Sequence, residues 1–282
     1  MNGKPRESFY TLWTASILIC LALCVGVLIY VSVVGGGPRD GAQKSTPEQD
    51  GEVLDQSASG EIQLSFTPEP SPTPAPTVLG QTADQGQAYI DQLIFLGDST
   101  TYQMVGNGFV PFTQIWVPEI GFLNLFNWSI DKINYYPPDD PENPIPLSIE
   151  ECAATAKPEY LVITLGADGV AVLNEAEFKQ YYLGVIQAVQ QASPDTKIIC
   201  QSMFPVVDSL APTGINNANI EKGNAWILDL AEQTGVRFLN THEALLDESG
   251  GLVASYSPYD GIHLTADAYE VIFQYIRTHG YQ

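Results

Sequence analysis

Apolar and polar positions divide this chain into three zones. Leu12 to Val34 is a run of 23 residues without a charge, dominated by Leu, Ile, Val and Ala. That length spans a hydrocarbon core of about 30 Å. The pattern therefore predicts a transmembrane anchor at 12–34 behind a short tail at 1–11. Residues 35–82 are polar and rich in Pro, Ser and Thr, and Phe66 to Thr77 carries a proline at nearly every second position. Such a stretch holds too few large apolar residues for a core and favours extended polyproline II, so it reads as a disordered tether. From 83 to 282, short apolar runs alternate with longer segments of helical period, and a globular domain is expected there.

Within that domain Leu93–Leu96, Gln114–Val117, Tyr160–Leu165, Lys197–Cys200 and Val236–Leu239 read as strands. Helices are predicted at Thr100–Val105, Leu123–Tyr135, Glu177–Ala192 and Asn216–Thr234, with another from Thr265 to Thr278. Ser148 with Glu151 three residues on is a capping-box start for a further helix, to Ala156. Pro137, Pro138, Pro141, Pro144 and Pro146 predict a loop ahead of it. Strands alternating with helices of this length give a parallel sheet covered on both faces, a three-layer α/β/α domain.

Charge narrows the partners. The 282 residues carry a formal −22, and from Gln81 onward 7 Lys and Arg against 25 Asp and Glu leave −18. An acidic surface excludes nucleic acid, whose phosphates demand basic residues. It also argues against a domain face lying on anionic lipid, so the membrane is expected as a partner only through the N-terminal helix. Lys4 and Arg6 before the apolar run nearly balance Arg39 and Lys44 after it. The short tail and the Pro/Ser/Thr-rich tether favour a single-pass signal-anchor with its C-terminal domain outside the cell membrane. Cys152 and Cys200, in a predicted helix and a predicted strand, could pair outside the cell, but they read first as two buried free thiols. With three histidines and no CxxC pattern, no metal or other cofactor is called for.

Candidate chemistry sits at two places. Phe95-Leu96-Gly97-Asp98-Ser99-Thr100 puts Ser99 at the carboxyl end of a predicted strand, where open α/β sheets bind ligands. Asp260-Gly261-Ile262-His263 puts an Asp and a His three residues apart before the last helix. A serine hydroxyl becomes a nucleophile when a base takes its proton and a third group orients that base. Ser99, His263 and Asp260 supply those parts. Asp98 is read as a turn residue whose carboxylate accepts backbone N–H groups. His242 is read as a surface residue and His279 as a bystander near the C-terminus. Phe112, Trp116, Phe122, Phe126, Trp128, Tyr135 and Tyr136 either line a cleft beside Ser99 or pack in the core.

The two motifs resemble the first and last blocks of the GDSL or SGNH hydrolases. Thr164-Leu165-Gly166-Ala167-Asp168-Gly169 is similar to the third block, Gly-x-Asn-Asp, and Gly121 fits the glycine of the second. The resemblance spans roughly residues 88–278 and implies a flavodoxin-like sheet of order 2-1-3-4-5. It also implies an oxyanion hole from the backbone N–H of Ser99, the N–H of Gly121 and the side chain at 168. Position 168 departs from the family: an ionised aspartate has no donor to replace the Asn amide, and losing one donor costs about 10²–10³ in rate. Either Asp168 stays protonated, or another donor such as Asn124 substitutes, or catalysis has been lost.

The resulting expectation is a serine-dependent ester hydrolase acting outside the membrane on O-acyl groups of a carbohydrate or on a small ester. The alternative is a catalytically weakened binding module of the cell envelope on the same fold. A structural envelope-assembly protein is a third class, suggested by the tether and opposed by Ser99.

Overall fold

Residues 76–118 and 123–282 are described by a computed structural model. The expected span at 12–34 and most of the tether lie outside these residues. Among those described, no helix is long and apolar enough to cross a membrane.

The apolar runs form five parallel strands: β1 (Leu93–Gly97), β2 (Ile115–Trp116), β5 (Tyr160–Thr164), β6 (Lys197–Gln201) and β7 (Arg237–Leu239). Their spatial order is β2-β1-β5-β6-β7, the predicted 2-1-3-4-5. Register is continuous across the middle of the sheet, with Phe95 beside Val162 and Val162 beside Ile199. Successive side chains leave opposite faces of a strand, so one sequence feeds two cores. Phe95, Val162, Ile199 and Leu239 join one core, and Leu96, Ile163, Cys200 and Phe238 join the other.

Helices cover each face. On the Phe95 side lie α1 (Gly86–Ile90), α2 (Ser99–Gly106) and α7 (Ala266–Thr278), which contribute Ile90, Met104 and Ile272. On the Leu96 side lie α3 (Ile149–Ala156), α5 (Glu175–Ala192) and α6 (Asn217–Thr234), which contribute Cys152, Tyr182 and Ile227. A short α4 (Gly169–Val172) follows β5. The capping box at Ser148 and Glu151 forms, and Asn174 with Glu177 makes a second one that starts α5 two residues before the predicted position. Gly235, at φ +74°, ends α6.

Three expectations change. Leu123–Tyr135 is not a helix: a 3-10 turn at Leu125–Asn127 is followed by β3 (Ile133–Tyr135). The proline-rich loop ends in β4 (Ile145–Leu147), which pairs antiparallel with β3, Ile133 beside Leu147. Leu125 and Ile133 are both fully buried, and their spacing suits a strand and a turn as well as a helix; tertiary packing made the choice. The domain also begins before residue 83. Phe238 donates to Thr77 O at 2.9 Å and accepts from Leu79 N at 2.8 Å, and Leu79 is 3% exposed. The last residues assigned to the tether thus add a bridge along the edge of β7.

Cys152 and Cys200 are free and buried, and burial pushes each thiol up to about 12. Neither is a nucleophile at neutral pH.

Candidate active site

The site begins where β1 runs into α2. Gly97 ends the strand against the side chains of Thr101 and Thr164, which hydrogen-bond each other. A Cβ at Gly97 would lie 2.0 Å from both hydroxyl oxygens, so only glycine fits. Asp98 then caps α2: its Oδ1 accepts from Thr100 N at 2.9 Å and from Thr100 Oγ1 at 2.8 Å. This is the turn role expected of Asp98. Ser99 is the first residue of α2, where backbone N–H groups have no partner within the helix. Its hydroxyl stands at the sheet's carboxyl edge.

The second half is the loop before α7. Asp260 Oδ1 accepts from the backbone N–H of Ile262 at 3.0 Å and of His263 at 2.9 Å. Its Oδ2 stands 2.6 Å from His263 Nδ1. On the other side of the ring, His263 Nε2 stands 2.9 Å from Ser99 Oγ. The three expected residues therefore form one hydrogen-bonded run.

Sequence reasoning missed the residues that brace it. Ser257, fully buried, donates from its hydroxyl to His263 O at 2.8 Å. Tyr269 in α7 donates to Thr100 O in α2 at 2.6 Å, which ties the helix after His263 to the helix that carries Ser99. Gly261 O accepts from Val207 N at 2.9 Å. No local pattern marks Ser257 or Tyr269, because each acts through a contact remote in sequence or through a backbone atom.

Charges follow from this packing. Burial alone would lower the His263 pKa, but the hydrogen bond and charge of Asp260, with Asp98 behind, outweigh it and the net shift is upward. For Asp260, burial raises the pKa; the bonds from the His263 ring and from two backbone N–H groups outweigh that and hold the carboxyl far below its usual range. The pair is thus built to carry its proton on the imidazole.

Asp168 follows β5 and accepts from Leu125 N at 3.1 Å through Oδ2. Its Oδ1 is shielded from solvent without a hydrogen-bond partner among the described residues. Burial first, and the charge of Asp98 second, push its pKa up to about 7. Gly121, the other expected oxyanion donor, lies outside the described residues, as does Phe122.

His242 is a correction. It is 8% exposed rather than a surface residue, with Nδ1 at 3.1 Å from Met203 O, and burial pushes its pKa down. The strand β7 leads directly into the 3-10 turn that carries it, so the ring is drawn inward beside β6. His279 stacks on Tyr275 with ring centroids 3.7 Å apart. The aromatics divide: Trp116 is core, while Phe112, 37% exposed, stacks on Tyr136 at 5.0 Å.

A parallel sheet of this order thus carries the Ser99–His263–Asp260 run on its carboxyl edge, in a three-layer α/β domain. Residues 95–271 match the GDSL-like lipase/acylhydrolase family, and the chain belongs to that family. A search of curated proteins finds no match. Solved structures similar to the chain include a GDSL-like lipase from Bacteroides thetaiotaomicron, 18% identical, covering 66% of this chain and 85% of that one, TM-score 0.49. A carbohydrate esterase family 3 protein from Talaromyces cellulolyticus is 17% identical over 66% of this chain and 93% of that one, TM-score 0.44. A catalytic mutant of an acetylxylan esterase from Geobacillus stearothermophilus is 15% identical over 67% and 94%, TM-score 0.43.

Proposed function

We propose that this acylhydrolase-family chain is a serine-dependent ester hydrolase that works outside the membrane on O-acyl groups of a carbohydrate or a small ester. What supports it is the run from Ser99 Oγ through the His263 ring to Asp260, at 2.9 and 2.6 Å. Ser99 Oγ attacks the ester carbonyl as its proton passes to His263 Nε2. Asp260 fixes the ring and stabilises its charged form. His263 then gives the proton to the departing alcohol and leaves an acyl-serine. A water, deprotonated by the same nitrogen, releases the carboxylic acid.

Negative charge on the carbonyl oxygen meets the N–H of Ser99, the N–H of Gly121 and Asp168 in its neutral form. The orphaned Oδ1 of Asp168 suits a carboxylic acid O–H with no internal acceptor, and its raised pKa keeps that proton available near neutrality. The carbohydrate half of the reading rests on the tether, which would hold the domain at the distance of a wall or surface polymer, on a single-pass anchor.

Asp168 also favours a second reading. Were it ionised, it would repel an oxyanion, and the domain would serve as a binding module. A fluorophosphonate probe separates the two. The hydrolase is labelled at Ser99, loses all label in Ser99→Ala and most in His263→Ala. Folded but unlabelled protein would establish the module instead.

A further inference from the structure

β6 ends at Gln201, level with the end of β5 at Thr164, and the chain runs on past the sheet as Ser202–Val206. Buried N–H and C=O groups there must find other partners. Two asparagines of α6 provide them. Asn224 accepts from Met203 N at 2.8 Å through Oδ1 and donates from Nδ2 to Met203 O at 3.1 Å. Asn217 does the same with Val206, at 2.9 Å in both directions. Each side-chain amide thus stands in for one residue of a neighbouring strand.

The spacing makes this possible. Seven helical residues advance about 10.5 Å at 1.5 Å each, and three extended residues advance about 10 Å. Asn217 and Asn224 also share one face of α6, two turns apart. A helix and an extended segment therefore keep step over this stretch, running antiparallel. The segment is pinned at its far end too, where Leu252 N donates to Val206 O at 3.2 Å and Val207 N to Gly261 O at 2.9 Å.

Ser202–Val206 is one wall of a recess of about 30 Å³, whose other wall includes Asp98, Thr100 and Ala167, with Ile262. Asp98 and Thr100 flank Ser99 in the chain, and Ile262 precedes His263. A group on the ester's acyl side would enter here. The recess has room for about two water-sized groups.

We propose that Asn217 and Asn224 are specificity-determining positioning residues: they hold Met203–Val206 as the wall that confines the acyl group to a short chain of acetyl size. This rests on Ser99 being the nucleophile. Neither asparagine touches the reacting atoms. Replacing either by aspartate keeps the acceptor for the N–H but sets an oxygen against the carbonyl, so the wall is pushed away and the recess opens.

The test is kcat/KM for p-nitrophenyl acetate, butyrate and hexanoate in the wild-type protein, Asn217→Asp and Asn224→Asp. Each is followed by melting temperature and fluorophosphonate labelling. Wild type is expected to prefer acetate, and the variants to raise the butyrate-to-acetate ratio about tenfold, the scale of a pocket change of one or two methylenes. A loss shared equally by all three esters, tracking the melting temperature, would overturn the proposal. Should a variant fail to fold, the wild type decides: hexanoate turned over as well as acetate overturns it equally. Absence of Ser99-dependent turnover on every ester is a distinct result, which removes the hydrolase reading and this inference with it.

Discussion

His263 Nε2 and Ser99 Oγ stand 2.9 Å apart although 164 residues separate them in the chain. The contact is not made by the two motifs alone. Tyr269 clamps α7 to α2 through Thr100 O, Ser257 holds His263 O, and Val207 N anchors Gly261 O. The imidazole is delivered by three supports outside both motifs.

On the proposed mechanism, loss of the nucleophile or of the group that orients the base should therefore dominate any activity measurement. Ser99→Ala is expected to lower kcat by about 10⁴–10⁶ and Asp260→Asn by about 10⁴. Turnover of p-nitrophenyl acetate with matched melting curves checks this. Retention of more than a tenth of the activity by Ser99→Ala would remove it from the mechanism.

On the proposed function, acid should switch activity off at a higher pH than an ordinary histidine would. The base must be neutral to accept the Ser99 proton, and the environment raises the His263 pKa above 6.5. Activity is therefore lost as pH falls through a midpoint above that value. In Asp260→Asn the raising partner is gone while burial remains, so the residual midpoint should move down. A pH profile of kcat/KM in both proteins settles the sign.

Asp168 should impose an alkaline limb. Its pKa is pushed up to about 7, so the neutral donor disappears above that pH. Asp168→Asn should convert a bell-shaped profile into one that rises and stays, exceeding wild type at pH 8.5 by at least about tenfold. Stability follows the same group. The folded state holds this proton more tightly than the unfolded chain, so stability falls as pH rises between about 4 and about 7. The variant escapes that loss, a gain of at most about 4 kcal/mol at pH 8 that vanishes near pH 4. Overlapping profiles and parallel melting curves would place Asp168 outside the oxyanion hole.

Gly261→Ala should harm activity more than fold. At φ +78° an alanine is strained, and its Cβ would lie 2.7 Å from Val207 O and 2.8 Å from Ala211 N, both backbone atoms that cannot step aside. The strain costs about 1–3 kcal/mol. Because the displaced loop carries Asp260 and His263, kcat should fall by more than the melting temperature accounts for. Thermal denaturation beside an esterase assay measures the two effects separately.

Much of this was legible in one dimension. Leu93–Leu96 and Leu161–Ile163 are apolar throughout because a central parallel strand is buried on both faces. Ser148 and Glu151 capped a helix because that bond is local. Leu123–Tyr135 misled, since Leu125, Trp128 and Ile133 satisfy a helical period as well as a turn followed by a strand. His242 misled because a polar ring among polar neighbours looks exposed, while its partner, Met203 O, lies 39 residues away.

By itself the sequence determined what is short-range: the five parallel strands and the five longer helices around them, that Asp98 caps the turn carrying Ser99, and that Asp260 sits within reach of His263. Tertiary structure alone decided that the imidazole meets the serine, that Asp168 is half-buried with its Oδ1 shielded near the charge of Asp98, and that two asparagines of α6 grip the segment beyond β6. Local bonds repeat at fixed spacings a reader can count. Burial and long-range contact depend on how all the layers pack together, and no spacing encodes that.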